Sequence, residues 1–424
     1  MEDRIRDDRI RDDRIRGDRI RVAQVVTRFV AGAGGVALRG AEALDPRRYD
    51  VAIVAAPDGG LLVDAERDGF EVIRVPDLVP EIDPGSDARA LRQLCTILTE
   101  GTFDVVHTHS AKAGALGRLA AHLTHVPAVV HTFHGFPFHE FQSPWRRWTY
   151  VEIERRLAAI TDRFLAVGSA VAAEAVRRRI APVDRIRVVD SAISDEVVPR
   201  SAAARFRARG LLGVPPGMQV VGAVGRLDEQ KAPRDFVAAF ARIERDDVLG
   251  VWVGDGPLRP VVERDIRDRG LEDRIVLLGH RRDVPDLLPG FDVFALSSLY
   301  EGIPCAVVEA MRCGVPVVAT AVNGVHEVVV PGRSGLLVPP RDPRALARAL
   351  GALLEDPAEG ARLAAIAQRQ LEGHFATRDL GQDLMETYEV ALRAHAAARG
   401  GGVVPAASND ARREPVTALA GAPA

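Results

Sequence analysis

The sequence predicts an α/β protein built from two doubly wound domains, and three observations carry that prediction. The chain has 424 residues, more than one ordinary hydrophobic core accommodates. Short apolar runs alternate with helical patterns, as parallel sheets covered by helices on both faces require. That alternation occurs in two successive series, with a break in composition between them.

In the first series Ile20–Val26, Val51–Ala55, Val72–Val75, Val105–His107, Ala128–His131, Phe164–Val167 and Ile186–Val189 read as buried strands. Ser110–Leu123 and Gly168–Ile180 are examples of the helices between them. The second series comprises Val220–Val224, Gly250–Val253, Ile275–Leu278, Val293–Leu296, Val315–Ala319 and Leu336–Val338. The break lies near Ser191–Gly217, where Pro199, Gly210, Gly213 and Pro215-Pro216-Gly217 interrupt any periodic pattern. Domains are expected at 19–200 and 215–378, followed by a helix at 379–398 placed to return to the first domain. Residues 1–18 repeat a five-residue unit, Glu2-Asp-Arg-Ile-Arg, with further copies opening at Asp7, Asp12 and Gly17. That period matches neither helix nor strand, so a disordered extension is expected there. The Ala/Gly/Pro-rich stretch 400–424 carries the same expectation.

Composition narrows the function. A net charge of −3 supplies no global basic field, which argues against nucleic acid as a partner. Cys95, Cys305 and Cys313 form no CxxC pair, which fits a reducing compartment and excludes a disulfide scaffold. No apolar run reaches the roughly 18–20 residues of a membrane span, and the N-terminus lacks the apolar core of a signal peptide. A cytoplasmic protein is therefore expected. Lysine occurs only at Lys112 and Lys231 in a chain that otherwise uses arginine, so each lysine invites a reason.

The strongest motif is Ser297-Ser-Leu-Tyr-Glu301-Gly302-Ile303-Pro304-Cys-Ala-Val-Val-Glu309-Ala-Met-Arg-Cys-Gly314-Val-Pro316. Pro304 suits the first turn of a helix and Gly314 its C-terminal cap, which predicts a helix over Pro304–Cys313. Glu301 then sits in the loop at the carboxyl end of a strand. Glu309 lies about a turn and a half into the helix. The exposed N–H groups of Gly302 and Ile303 face where an anion can bind, helped by the helix dipole. Two lone glutamates would more often be solvated, but the glycine, the proline and the flanking strands favour a site. A second motif follows Val220–Val224: Gly225-Arg226-Leu-Asp-Glu-Gln-Lys231, before a helix opening at Pro233. Arg226 and Lys231 leave a strand's carboxyl end, where ligands of such sheets bind. Two fixed cations suit a diphosphate leaving group, although solvated charges are the usual fate of basic residues.

Residues 293–338 resemble the glutamate-x7-glutamate region of the family 4 retaining glycosyltransferases of the GT-B fold. Val315-Pro-Val-Val-Ala-Thr320, Asn323-Gly324-Val-His-Glu327 and Gly335-Leu-Leu-Val338 are similar to that family in order and spacing, and the likeness extends over about residues 20–390. It implies two Rossmann-like domains facing across a cleft, the first for the acceptor and the second for a nucleotide-sugar donor. It places the donor ribose on Glu309, the donor sugar near Glu301, and the diphosphate on Arg226, Lys231 and the amides after Glu301. Gly254-Asp-Gly256-Pro257 is similar to the family's structural glycine turn, and Gly279-His280-Arg281 matches the position that contacts the base. Gly32-Ala-Gly34-Gly35 resembles the loop over the diphosphate. His134-Gly135 matches the pair that meets the donor sugar's hydroxyls. Retention of configuration without a metal is implied, with a UDP-sugar as co-substrate and no other cofactor.

Other readings stand beside this one. Gly32-x-Gly34-x-x-Ala37 with Asp58 about twenty residues on is a loose dinucleotide fingerprint, which an NAD(P)-dependent oxidoreductase would share. A GT-B epimerase would share the donor-binding parts. His107, His109, His131 and His134 invite a metal, but no carboxylate or cysteine joins them at ligand spacing. His107, His109 and Lys112 shape the acceptor side or are structural. Trp145, Arg146, Arg147 and Trp148 open a helix suited to a membrane interface, or to packing both indoles against the sheet. The stretch is similar to relatives that extend capsular or exopolysaccharide chains on a lipid carrier, which implies a glycan or lipid-linked acceptor at the inner membrane face.

Overall fold

The computed structural model describes residues 19–30, 32–136, 138, 142–190, 193 and 197–398. The five-residue repeat and the tail from 400 lie outside the described residues. Two compact units emerge. Among the described residues, one holds those up to 167, those from 172 to 190 and the helix Thr377–Ala398; the other holds 168–171, 193 and 197–376.

The first unit is a seven-stranded sheet: β1 (Ile20–Val26), β2 (Tyr49–Ala55), β3 (Glu71–Arg74), β4 (Val105–His109), β5 (Ala128–Phe133), β6 (Arg163–Ala166) and β7 (Ile186–Val188). Their order is β3-β2-β1-β4-β5-β6-β7, and every neighbouring pair is parallel. Such strands are covered on both faces, which is why β1, β4 and β5 are buried almost throughout. β4 and β5 run two residues further than the apolar runs indicate. The added residues include polar Thr108, His109 and Thr132, and side-chain hydrogen bonds let them stay in the sheet. The helix Thr377–Ala398 packs on the helix Ala33–Glu42, and Leu384 Cδ1 comes so near Gly40 that a Cβ there would lie 2.8 Å from it.

The second unit repeats the plan with β8 (Gln219–Val224), β9 (Val248–Val253), β10 (Ile275–Leu277), β11 (Val293–Leu296), β12 (Val317–Thr320) and β13 (Leu336–Val338), in the order β10-β9-β8-β11-β12-β13. All of its pairs are parallel as well. β12 begins at Val317 rather than Val315, because Pro316 carries no N–H for the ladder. Its core joins Val221, Phe236, Phe240, Trp252 and Ile266 with Leu346 and Leu350 of the helix Pro343–Glu355.

Asp292, just before β11, is the polar anchor of this unit. Its carboxylate accepts from Arg200 at 3.1 Å, Arg205 at 2.6 Å, Arg209 at 2.5 Å and the Val220 N–H at 2.8 Å. It thereby ties the helix Ala202–Leu212 to the start of β8. Asp292→Ala would leave three guanidinium groups and one amide without their acceptor. A loss of about 3 kcal/mol is expected, at the low end for a broken buried pair because the arginines are partly wet. Denaturant unfolding checks this against Asp247→Ala. That change removes only an exposed partner of Arg245 and is expected to leave the unfolding midpoint almost unmoved.

Candidate active site

In the second unit the sheet grows from β8 outward through β9 and β10, then returns to add β11 on the other side of β8. Loops leaving β8 and β11 therefore diverge at their carboxyl ends, where open α/β sheets take their ligands. The Gly225–Lys231 and Ser297–Glu301 segments are those loops. They are joined by Leu299 N–H to the Gln230 carbonyl at 2.8 Å, Ser297 Oγ to the Lys231 carbonyl at 2.8 Å, and Gln230 Nε2 to the Tyr300 carbonyl at 3.1 Å.

Between them Lys231 Nζ donates to Glu301 Oε1 at 2.6 Å. The same oxygen accepts from Ser298 Oγ at 2.6 Å, and Gln230 Nε2 lies 3.4 Å from Oε2. Glu301 is 7% exposed, so its charge depends on these donors rather than on water. The stem of Lys231 folds over Gly225, where a Cβ would meet its carbons at 3.2 Å. Gly254, at the end of β9, has φ +137°, and a Cβ there would lie 2.0 Å from the Gly225 carbonyl oxygen. Only glycine lets these two strand ends approach so closely. Arg226 is a contrast: its side chain is 49% exposed, with Asp228 3.6 Å away.

Gly302 and Ile303, read from sequence as offering exposed amides, are both buried. The cause is Gly324, where a Cβ would fall 1.6 Å from the Gly302 carbonyl oxygen, so the turn can settle inward. Neither amide donates to a protein acceptor among the described residues. They precede the helix Cys305–Cys313, whose own first N–H groups have no partner within the helix. Pro304 stands at the N-cap rather than in the first turn, and Gly314 caps the other end with φ +89°. Glu309 sits half-buried on this helix. His280 is exposed just past β10.

In the first unit Gly34 and Gly35 lie inside the first turns of the helix Ala33–Glu42, both buried, and Gly32 precedes them with φ +82°. His134 and Gly135 follow β5, with Gly135 at φ +138°. Gln24, His107, His109 and Thr132 come from three adjacent strands, β1, β4 and β5, and are all buried. His134 Nε2 is 2.8 Å from His109 Nδ1, and His109 Nε2 is 2.6 Å from Gln24 Oε1. Gln24 Nε2 donates to the Tyr388 hydroxyl at 3.1 Å. That hydroxyl is 2.7 Å from His107 Nδ1, and His107 Nε2 is 2.7 Å from Thr132 Oγ1. On the opposite face His131 Nδ1 meets Thr108 Oγ1 at 2.8 Å. Lys112 is bonded to Asp87 at 2.6 Å. Among the described residues no group of three or more His, Cys, Asp or Glu is placed to hold a metal ion. Trp145 and Trp148 are 69% and 65% exposed, so of the two alternatives for this helix the packing of both indoles against the sheet is not the one seen.

Comparison with known proteins now bears on this geometry. A family model described as glycosyl transferases group 1 matches residues 218–356, and one described as a glycosyl transferase 4-like domain matches residues 31–191. The UDP-Gal:alpha-D-GlcNAc-diphosphoundecaprenol alpha-1,3-galactosyltransferase of Escherichia coli is 30% identical over 332 residues, 77% of this chain and 86% of that one. The chain belongs to the family 4 GT-B glycosyltransferases. A D-inositol 3-phosphate glycosyltransferase of Xylanimonas cellulosilytica is 33% identical over 313 residues, covering 70% of this chain and 74% of that protein. The crystal structure of Anabaena Alr3699/HepE with UDP and glucose superposes with a TM-score of 0.75 at 22% identity, over 88% of this chain and 100% of that one. For this glycosyltransferase the oxidoreductase and epimerase readings find no support. Asp58, the acidic residue of the dinucleotide fingerprint, pairs instead with Arg28 at 3.0 Å.

Sequence reasoning missed residues that brace the candidate groups in each unit. Ser298 and Gln230 sit inside the quoted motifs but are too ordinary to stand out. Gln24 and Tyr388 belong to no motif at all. Among the described residues no helix is long and apolar enough to cross a membrane.

Burial holds four rings of the first unit, His107, His109, His131 and His134, neutral. His107 is pushed down to about 3, by desolvation and then by His134, and His134 to about 4 by desolvation alone. His109 and His131 lie well below the usual range for the same first reason. As pH falls below about 6.5 the unfolded chain takes up protons that the folded chain refuses. The unfolded state then binds more protons, so stability is full above that pH and is lost on acidification. The melting temperature is expected to fall steadily between about pH 7 and pH 5. A level melting temperature over that range would contradict burial of neutral rings.

Proposed function

We propose that this glycosyltransferase is a retaining enzyme that moves a hexosyl or N-acetylhexosaminyl group from a UDP-sugar to a hydroxyl of a lipid-linked glycan. The observation that carries the donor side is the Lys231–Glu301 pair at the point where the second sheet reverses its growth. Around it lie a half-exposed Arg226, the unpaired amides of Gly302 and Ile303, and Glu309 on the helix that follows. Such a set suits a nucleoside diphosphate. We assign Arg226, Lys231 and the two amides to the diphosphate, Glu309 to the ribose, His280 to the base and Glu301 to the sugar; Gly34 and Gly35 are assigned to the diphosphate, and His134 and Gly135 to the sugar's hydroxyls.

Negative charge grows on the diphosphate as the glycosidic bond breaks, so fixed cations stabilise the transition state more than the ground state. Lys231 held by Glu301 is oriented before the donor arrives. The acceptor hydroxyl attacks from the face the diphosphate leaves, and a departing phosphate oxygen takes its proton. No metal is assigned a role. Galactosyl transfer to a diphosphoundecaprenol-linked sugar is the activity named for the Escherichia coli relative, and it motivates the acceptor.

A panel of nucleotide sugars and free nucleoside diphosphates, read by thermal shift and calorimetry, tests the donor class. UDP-sugars and UDP are expected to stabilise the protein, and no response to any of them would refute the proposal. Glu309→Ala removes charge-assisted hydrogen bonds worth about 1.5–3 kcal/mol each, so UDP affinity is expected to fall at least roughly tenfold. Arg226→Ala is the clean probe of the leaving group, because its long ion pair at an exposed site adds little to the fold. It is expected to lower turnover more than UDP-sugar affinity, and to weaken UDP more than the intact donor. Lys231→Ala also strands Glu301, so a drop in melting temperature accompanies its loss of turnover; Lys231→Arg separates charge from shape.

The exposed Trp145 and Trp148, on a helix that also carries the exposed Arg146, Arg155 and Arg156, support a peripheral contact with the anionic membrane surface. Flotation with vesicles of phosphatidylethanolamine and phosphatidylglycerol is expected to carry the protein upward. Trp145→Ser with Trp148→Ser is expected to abolish that. Equal flotation of both proteins, or none of the wild type, would remove the membrane reading.

A further inference from the structure

The hydrogen-bonded chain behind His134 has a direction. The Gln24 carbonyl oxygen faces His109 Nε2, at 2.6 Å, and a carbonyl oxygen only accepts. His109 therefore carries its proton on Nε2. A neutral ring so protonated offers Nδ1 as an acceptor, and His134 Nε2 at 2.8 Å must be the donor to it. On the other side the Gln24 amide donates to Tyr388, whose hydroxyl proton is then free to go to His107 Nδ1, and His107 Nε2 donates to Thr132. Every bond in the run has one donor and one acceptor.

Two further observations make this a device rather than a by-product of burial. His107, Tyr388 and Gln24 are at most 1% exposed, and the cavity beside them, lined by Gln24, His107, His109 and Leu384, is about 10 Å³, room for no more than about one water. The chain is sealed from substrate, and it surfaces only at half-buried His134. There Nε2 is committed to His109, while Nδ1 has no protein partner among the described residues.

We propose that Gln24, His109 and Tyr388 are positioning residues that lock His134 as the Nε2–H tautomer, so that its Nδ1 can only accept a hydrogen bond and selects a hydroxyl or amide N–H on the donor sugar. This rests on the assignment of His134 to the sugar given above. A donor presenting a carboxylate or carbonyl oxygen at that point is refused, because two acceptors meet. Tyr388 enters through the C-terminal helix Thr377–Ala398, which makes that helix part of donor selection without touching the donor.

Nitrogen NMR of protein labelled at histidine, with His134→Gln to assign the signal, reads the tautomer directly. His134 is expected neutral, protonated at Nε2 and bare at Nδ1. A proton on Nδ1, or a cationic ring at pH 7, would overturn the proposal whatever the activity. Tyr388→Phe keeps the ring but removes the hydroxyl that fixes the Gln24 amide, and the mixed tautomers expected would appear as a shifted Nδ1 signal. Calorimetry supplies the second readout, using whichever of UDP-glucose, UDP-galactose and their N-acetyl counterparts binds best. Tyr388→Phe is expected to weaken that donor at least fivefold and free UDP less than twofold; a merely structural role would weaken both or neither. Gln24→Met is expected to act alike, whereas Gln24→Glu still offers His109 an oxygen and is expected to restore tautomer and affinity. Unchanged tautomer in both Tyr388→Phe and Gln24→Met would also overturn the proposal. A shifted tautomer with unchanged donor affinity would leave the lock standing and remove His134 from the sugar.

Discussion

A parallel sheet cannot turn back on itself with a tight hairpin, so each strand must be followed by a crossover on one face or the other. When the chain has laid three strands outward in one direction, the fourth must return beside the first. Both sheets do this, at β1/β4 and at β8/β11, and the loops leaving those strands have no neighbour between them. The candidate site of the second unit follows from that one constraint. Lys231 leaves β8, Glu301 leaves β11, and the 2.6 Å bond between them spans the opening the topology makes. Ser297, Leu299 and Gln230 then bind loop to loop, through one backbone bond and two side-chain bonds to backbone carbonyls, so the loops that carry the pair are tied together.

The same reversal in the first unit is filled differently. Gln24 and His107 are register partners on β1 and β4, and Thr132 is the partner of His109 on β5, so a polar patch is built into the middle of a buried sheet. Polar groups there destabilise unless each finds a partner. Tyr388 supplies the missing donor and acceptor from a helix 281 residues further along the chain than His107. That closes the account of why the helix Thr377–Ala398 belongs with the first unit: it carries the hydroxyl that a buried glutamine and histidine require, and the Gly40 contact lets it lie close enough to deliver it.

How much of this the sequence disclosed can be followed through particular residues. β1, β11 and β13 were legible to the residue, because each begins after a charged residue or glycine (Arg19, Asp292, Gly335) and its apolar run ends at Thr27, Ser297 or Pro339. β4 was cut short at His107, since His-Thr-His reads as loop chemistry to any argument based on hydrophobic runs. Only cross-strand partners explain why those residues stay in the sheet, and partners are not a property of the local sequence. The glutamates, Arg226 and Lys231 were visible because strand, loop and helix signals converge on them. Gln24 and Tyr388 were invisible for the opposite reason: each looks like an ordinary core residue in its own element, and the hydrogen-bonded network they make exists only in the pairing.

The two lysines show how far rarity carries an argument. Both are held by carboxylates, Lys112 by Asp87 and Lys231 by Glu301, each at 2.6 Å, and both are mostly buried. Scarcity therefore marks places where a compact ammonium on a flexible stem fits and a planar guanidinium does not. It does not by itself separate a ligand site from a structural pair. What separates them is surroundings: Lys231 lies over glycine at a strand end, beside unpaired amides and a half-exposed Arg226. Lys112 instead joins two helices of the first unit, Ala111–Leu123 and Pro84–Gly101, where an ion pair completes the packing. A cation becomes a candidate for catalysis when the groups around it still have hydrogen-bonding capacity to offer, and in this molecule that condition is met beside Lys231.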